Sequence, residues 1–156
     1  MSKAVSGIGL KLQRGDGASP EVFTTVAEVL SIKGPSEKLD THDVTNMDSP
    51  AAAGYTGIYR EFIATLLDGG DVTFDINYLP NDASQLGLSG DRKNKILRDF
   101  QIVLPNDPLS SPLASLGTLV FKAYVVEGGY DFPIDKQMTE SIKLKITGPV
   151  NYVAGA

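Results

Sequence analysis

The groups in this chain that would do chemistry are its nineteen acidic side chains and its single histidine. General acid–base catalysis needs a carboxylate held in a cleft with a displaced pKa. Asp16, Asp68, Asp71, Asp82 and Asp107 instead fall in turn segments, and Asp75 falls on the outward face of an alternating strand. Turn carboxylates ordinarily bond the backbone around them. His42 lies between Thr41 and Asp43, which would orient an imidazole, but no Gly-x-Ser-x-Gly elbow accompanies it. One histidine and no cysteine exclude a multi-histidine or thiolate metal site. Asp40, Asp43 and Asp48 miss the spacing of a calcium loop, and Leu86-Gly87-Leu88-Ser89-Gly90 lacks the Lys-Ser/Thr of a phosphate loop. Arg14-Gly15-Asp16 reads as a plain turn rather than an integrin ligand, and Lys122, Lys143 and Lys145 as solvated or paired strand-face charges. The expectation is a protein that is not an enzyme, with no catalytic residue, cofactor or metal.

Bulk properties narrow the class further. A chain of 156 residues with a formal net charge of −5 is expected to form one domain over residues 1–156 and to repel a phosphate backbone. Its first residues have no apolar core of signal-peptide length, and no run approaches the roughly 20 apolar residues of a membrane span. A reducing, cytosol-like compartment and no membrane partner are expected.

Alternation with a period of two dominates the chain. It appears at Ile8-x-Leu10-x-Leu12, and then over Val22 to Ile32, which reads as one long strand with a phase shift that a bulge or burial on both faces would explain. Phe62 and Ala64 follow, with Asp68-Gly69-Gly70-Asp71 as the turn of a hairpin returning through Val72, Phe74, Ile76 and Tyr78. Phe100-x-Ile102-x-Leu104 is next, then Leu119 to Val125, closed by Gly128-Gly129, and Ile142 to Ile146, closed by Gly148-Pro149. Asp82 as N-cap predicts one short or interrupted helix within Ala83–Arg98. Glu37 to Gly57 has no sustained period, and so long an irregular stretch in a compact domain is usually functional or orders on binding. The pattern predicts a mainly β protein: a β-sandwich or barrel of about seven strands, one flanking helix and a long extended loop.

Specific segments carry a resemblance. Asp43-Val44-Thr45-Asn46-Met47-Asp48-Ser49-Pro50, Tyr59-Arg60-Glu61-Phe62-Ile63-Ala64 and Leu67-Asp68-Gly69-Gly70-Asp71-Val72-Thr73-Phe74 resemble the major tail tube protein of lambda-like, long-tailed phages. Lys11-Leu12-Gln13-Arg14-Gly15-Asp16-Gly17, Phe23 to Val29 and Leu144 to Val150 are similar to the same family in the same order. The insert Ala51 to Gly57 departs from it.

The resemblance implies a structural virion protein that stacks as hexameric rings into a hollow tube, through which double-stranded DNA passes without specific binding. Its implied partners are further copies of itself, a tail-tip or baseplate initiator, a tape measure and a tail terminator. Its implied place is the virion tail, assembled in the host cytoplasm. By the same resemblance the loop 40–58 reaches an adjacent ring or subunit, and Asp43, Val44, Met47, Asp48, Tyr59, Arg60, Glu61 and Phe62 are the expected interface residues. An acidic channel wall would let DNA slide. The alternatives are a soluble carbohydrate-binding or adhesin-like β-sandwich, which the absence of Trp disfavours, and a relative of the type VI secretion tube.

Overall fold

A computed structural model describes residues 2–51 and 53–155. In chain order the strands are β1 (Lys11–Gly15), β2 (Phe23–Thr25), β3 (Val29–Lys33), β4 (Lys38–Asp43), β5 (Phe62–Asp68), β6 (Asp71–Asn77), β7 (Leu97–Val103), β8 (Thr118–Asp131) and β9 (Thr139–Val153). One helix, α1 (Ala83–Asn94), precedes β7. Seven strands form an antiparallel sheet in the order β2-β1-β7-β8-β9-β6-β3, and β4 pairs with β5 in a separate ribbon.

Connectivity forces that sheet to roll. β2 and β3 lie at its two opposite edges, yet only Val26, Ala27 and Glu28 join them. The four Cα steps from Thr25 to Val29 span at most about 15 Å. The edges must therefore approach one another, and the apolar faces of β1, β6, β7, β8 and β9 close on a single core. Leu12, Phe74, Phe100, Phe121, Ile142 and Leu144 are buried in it, and Val26 seals the seam. The expected long strand over Val22–Ile32 is thus two short ones. Glu28 breaks it with φ 58°, and a bulge at Leu30 shifts the register against β6, which explains the phase change in the sequence.

Helix α1 clamps the seam. The Asp82 carboxylate accepts from the Ser84 and Gln85 amides, and Lys95 ends the helix in the left-handed region. The Ser84 hydroxyl accepts from the Ala27 amide at 3.1 Å, while buried Gln85 donates to the Ala27 and Asn77 carbonyls at 3.3 and 2.9 Å. At the other end Asp91, 2% exposed, takes a bidentate hydrogen bond from Arg14 and a third from Arg98 at 3.1 Å. A charge so buried is tolerable only because two guanidiniums surround it.

Two further expectations change. β8 runs through Gly128-Gly129 to Asp131, where the missing Cβ of Gly128 leaves room for the Arg92 guanidinium and the buried Glu140 carboxyl. β9 runs through Gly148-Pro149 to Val153, because both residues fall inside a bulge opposite Phe121, where proline forfeits no ladder hydrogen bond. The first alternating segment also starts later than expected: Ile8 lies in a turn and is exposed, and β1 begins at Lys11.

Candidate assembly interface

The Asp68-Gly69-Gly70-Asp71 segment is not a hairpin turn. β5 pairs with β4, whereas β6 pairs with β3 and β9. The chain instead makes one long hairpin in two parts, β3–β6 in the main sheet and β4–β5 beyond it, bent at the same level on both legs. Gly34 (φ 106°) and Gly70 (φ 75°) form the paired bend. A side chain on Gly70 would overlap the Ser36 carbonyl, and one on Gly34 would fall 2.5 Å from the Asp71 carbonyl oxygen, so both must be glycine.

Past the bend, the described residues give the ribbon almost no cover. Every residue of β4 and of β5 is exposed, and β5 is apolar on both faces: Phe62, Ala64 and Leu66 alternate with Ile63, Thr65 and Leu67. At its root, Leu66, Leu67 and Gly69 line an open groove with Ile146, Pro149 and Val150. An isolated two-stranded ribbon is marginal in water. The whole chain exposes 10452 Å², against roughly 7,600 Å² for a compact monomer of its mass.

At the ribbon's end the chain forms an arm; six of the eight expected interface residues lie in it, and the other two, Asp43 and Phe62, are the last pair of the ribbon. Asp43, the last residue of β4, pairs opposite Phe62 and accepts from the Thr45 amide and hydroxyl at 2.9 and 2.6 Å. Those bonds, with smaller help from Arg60 at 3.6 Å, hold its carboxyl below the ordinary aspartate range. The Val44 amide donates to the Glu61 carbonyl at 2.9 Å, and the Glu61 amide donates to Thr45 Oγ1 at 2.8 Å. The Ser49 hydroxyl donates to the Glu61 carboxylate at 2.6 Å, and the Tyr59 amide to the Pro50 carbonyl at 2.9 Å. Asp48 donates its amide to Asn46, and Met47 is 91% exposed; Tyr59 and Phe62 are exposed as well.

Thus the arm is internally tied rather than loose. Its first residues, Asp40 to Asp43, are strand and not part of an irregular loop. Sequence reasoning missed Ser49, the one buried residue among the described residues of the arm, and Thr45; the spacing Asp43-x-Thr45 of a side-chain-capped turn was the available signal. It also missed the apolar ribbon residues Leu66 and Leu67.

The residues first considered for chemistry are scattered. His42 is exposed in β4 opposite Ile63, Asp16 caps its own turn by accepting from Ala18 and Val22, and Asp82 caps α1. No group of three or more His, Cys, Asp or Glu among the described residues is placed to hold a metal. On the sheet face opposite the core, Lys122 meets Asp99 at 3.9 Å, and Lys143 and Lys145 each meet Asp71 at 3.4 Å. Those contacts set three lysines against two aspartates on that face. No helix among the described residues is long and apolar enough to cross a membrane.

Comparison with solved structures defines the class: the fold is that of a tail tube protein. It superposes on the tail of an empty gene transfer agent particle, solved with C6 symmetry, with a TM-score of 0.71 at 15% identity, covering 97% of this chain and 100% of that one. The SPP1 tail tube gives 0.63 at 13% identity, covering 98% and 80%. The sheath–tube complex of the PVC extracellular contractile injection system gives 0.67 at 14%, covering 99% and 94%. No curated protein matches the sequence. The chain belongs to the lambda phage tail tube protein family, whose model matches residues 13–153.

Proposed function

We propose that this chain polymerises as stacked six-membered rings into the hollow tube of a phage tail, and that double-stranded DNA passes through that tube. The observation that carries this reading is the exposed β4–β5 ribbon, whose strand β5 is apolar on both faces and is covered within the chain only near its root, in a member of the tail tube family. A contiguous apolar surface of this extent on a free monomer is a site for association. The surplus exposure of about 2,900 Å² over a compact monomer is on the scale of an obligate interface. Six-fold rings and neighbours such as a cap or terminator come by likeness to related injection and tail assemblies. The partners would be further copies of the chain, an initiator at the tail tip, a tape measure and a terminator, within a virion tail assembled in the host cytoplasm.

The sheet face opposite the core, where lysines pair with aspartates, suits a channel wall. Paired Lys and Asp side chains neither gather phosphates nor present a strong repulsive field, so the duplex would meet little sequence-independent attraction.

Sedimentation equilibrium across concentration tests the reading. Six chains of 16.6 kDa would give rings of about 100 kDa, followed by larger species. A monomer at every concentration, even with tail-tip seeds added, would overturn it.

A further inference from the structure

On the sheet face opposite the core, a row of charge reaches past the Lys122–Asp99 pair. The strand registers set Asp99 of β7 opposite Lys122 of β8, and Lys122 opposite Thr147 of β9. On the other side, one step beyond the Arg14–Phe100 pair, Gly15 of β1 lies between Asp99 and Phe23, the first residue of β2. The turn 16–22 leads into β2 and folds the Glu21 side chain back over Gly15. A Cβ on Gly15 would fall 2.1 Å from Glu21 Oε1, and the Asp99 carbonyl oxygen is 3.1 Å from the same point. Glu21 Oε1 accepts from the Gly17 amide at 3.2 Å, and the Glu21 carboxyl meets the Asp99 carboxyl in a hydrogen bond. Lys122 Nζ is 3.9 Å from Asp99 Oδ1.

Two carboxyls hydrogen-bond only when one of them carries a proton, since an ionised carboxylate can accept but not donate. We propose that Glu21 and Asp99 share one proton and form a pH-operated latch, which fastens the turn 16–22, and β2 behind it, across β1 to β7. With the proton in place the latch is closed. Once the proton leaves, two like charges face one another at contact distance and the latch opens. The latch acts on the least supported strand of the main sheet: β2 is three residues long, forms a sheet edge and is paired to β1. It belongs to the single chain and needs no neighbouring copy.

The charges around Glu21 set the direction of the switch. Asp16 on its own turn and Asp99 of β7 are acidic; the cations are Lys122 of β8 and Arg98 of β7, which donates to the Asp16 carbonyl oxygen. Arg14, next to Gly15 in β1, turns to the other face, where Asp91 holds it. Thr147 and Asn151 of β9, which line the same cleft, are neutral. The Asp99 hydrogen bond, then burial, raise the Glu21 carboxyl above the ordinary glutamate range, against the pull of the Gly17 amide. A group raised in the folded state stabilises fully below its unfolded value and loses that contribution as pH rises through the folded one. Acid therefore closes the latch, and a rise towards neutral pH loosens it. Asp16, held below the ordinary range chiefly by the Ala18 and Val22 amides, stays charged through that window.

Hydrogen exchange at the amides of Gly17 and β2 tests the latch, read as protection factors so that the intrinsic pH dependence of exchange cancels. Carbon-13 NMR of the Glu21 carboxyl reads the proton itself. Wild type should lose protection at these amides as pH rises from the ordinary glutamate range, in step with the Glu21 titration, while core amides such as that of Phe100 keep theirs. Glu21→Gln, whose side-chain amide can donate to Asp99 at any pH, should hold the protection constant. Gly15→Ala displaces the Glu21 carboxyl without changing a titratable group, and should lose the protection at every pH. Wild-type protection that does not vary with pH, or an equal fall in Glu21→Gln, would refute the latch. A Glu21 carboxyl that titrates at the ordinary glutamate value, or a Gly15→Ala variant with the wild-type profile, would refute it as well.

Discussion

Replacing Leu66 or Leu67 by alanine separates folding from assembly. The two side chains are 73% and 79% exposed and, being consecutive in β5, point to opposite faces of the ribbon. Each alanine removes the equivalent of about three methylene groups, worth ~0.8 kcal/mol apiece on full burial. With about three-quarters of each side chain still to be covered, each substitution should weaken a subunit contact by ~2 kcal/mol, or about thirtyfold in equilibrium constant. The monomer should lose no more than about 0.5 kcal/mol, as at other exposed positions. Urea unfolding reads the monomer, and the critical concentration for pelletable polymer reads assembly. The double variant should approach 4 kcal/mol if the faces act independently. Polymerisation of both single variants at the wild-type critical concentration would refute the claim that the ribbon is an interface.

Other outcomes follow from the same geometry. Asp91→Ala should destabilise the monomer by about 3–5 kcal/mol, since it strips Arg14 and Arg98 of their buried partner; calorimetry would show the melting temperature fall by roughly 10 °C. Gly70→Ala puts a side chain at φ 75° against the Ser36 backbone, so ribbon amides should lose hydrogen-exchange protection within the assembled tube while core amides keep theirs. Burial raises the Glu140 carboxyl above the ordinary glutamate range, only partly offset by Arg92 at 3.9 Å. A raised folded pKa favours the fold fully below the unfolded value and loses that contribution as pH rises through the folded one. Wild-type stability relative to Glu140→Gln should therefore decline from the ordinary glutamate range upward, as read by denaturation at several pH values. Arg60→Glu should impair polymerisation and leave the monomer folded, since the Arg60–Asp43 pair is exposed and contributes little by itself.

Local signals were legible where one physical cause acts alone. The β6 alternation holds in that Val72, Phe74 and Ile76 are buried and the residues between them are not, and Asp82 caps α1 as its position implies. Asp75 and the three strand-face lysines lie outside the core as expected, with Lys143 and Lys145 in ion pairs. What failed was pairing. Asp68-Gly69-Gly70-Asp71 has the composition of a hairpin turn, but a chain that bends between two sheets needs the same positive φ as one that reverses. Gly128 and Gly148-Pro149 look like strand ends; their reasons to exist, the Arg92 guanidinium and a bulge, come from residues distant in sequence. The buried Arg14–Asp91–Arg98 cluster joins residues 77 and 7 positions apart, and no local period reports such a contact. The expected interface residues fall in two short runs, 43–48 and 59–62, which the structure brings together through the Asp43–Phe62 pair and the Val44–Glu61 hydrogen bond. The aromatic cluster of Tyr78, Tyr130 and Phe132 was not foreseen, since Tyr78 and Tyr130 meet only through the β6–β9–β8 register.

Negative-stain electron microscopy of the purified chain at high concentration, with and without tail-tip seeds, tests the central claim most directly. The account predicts six-fold rings and hollow tubes of one uniform bore, lost together in the Leu66→Ala, Leu67→Ala variant. Particles of monomer size under every condition, or tubes that the double variant forms equally well, would contradict it.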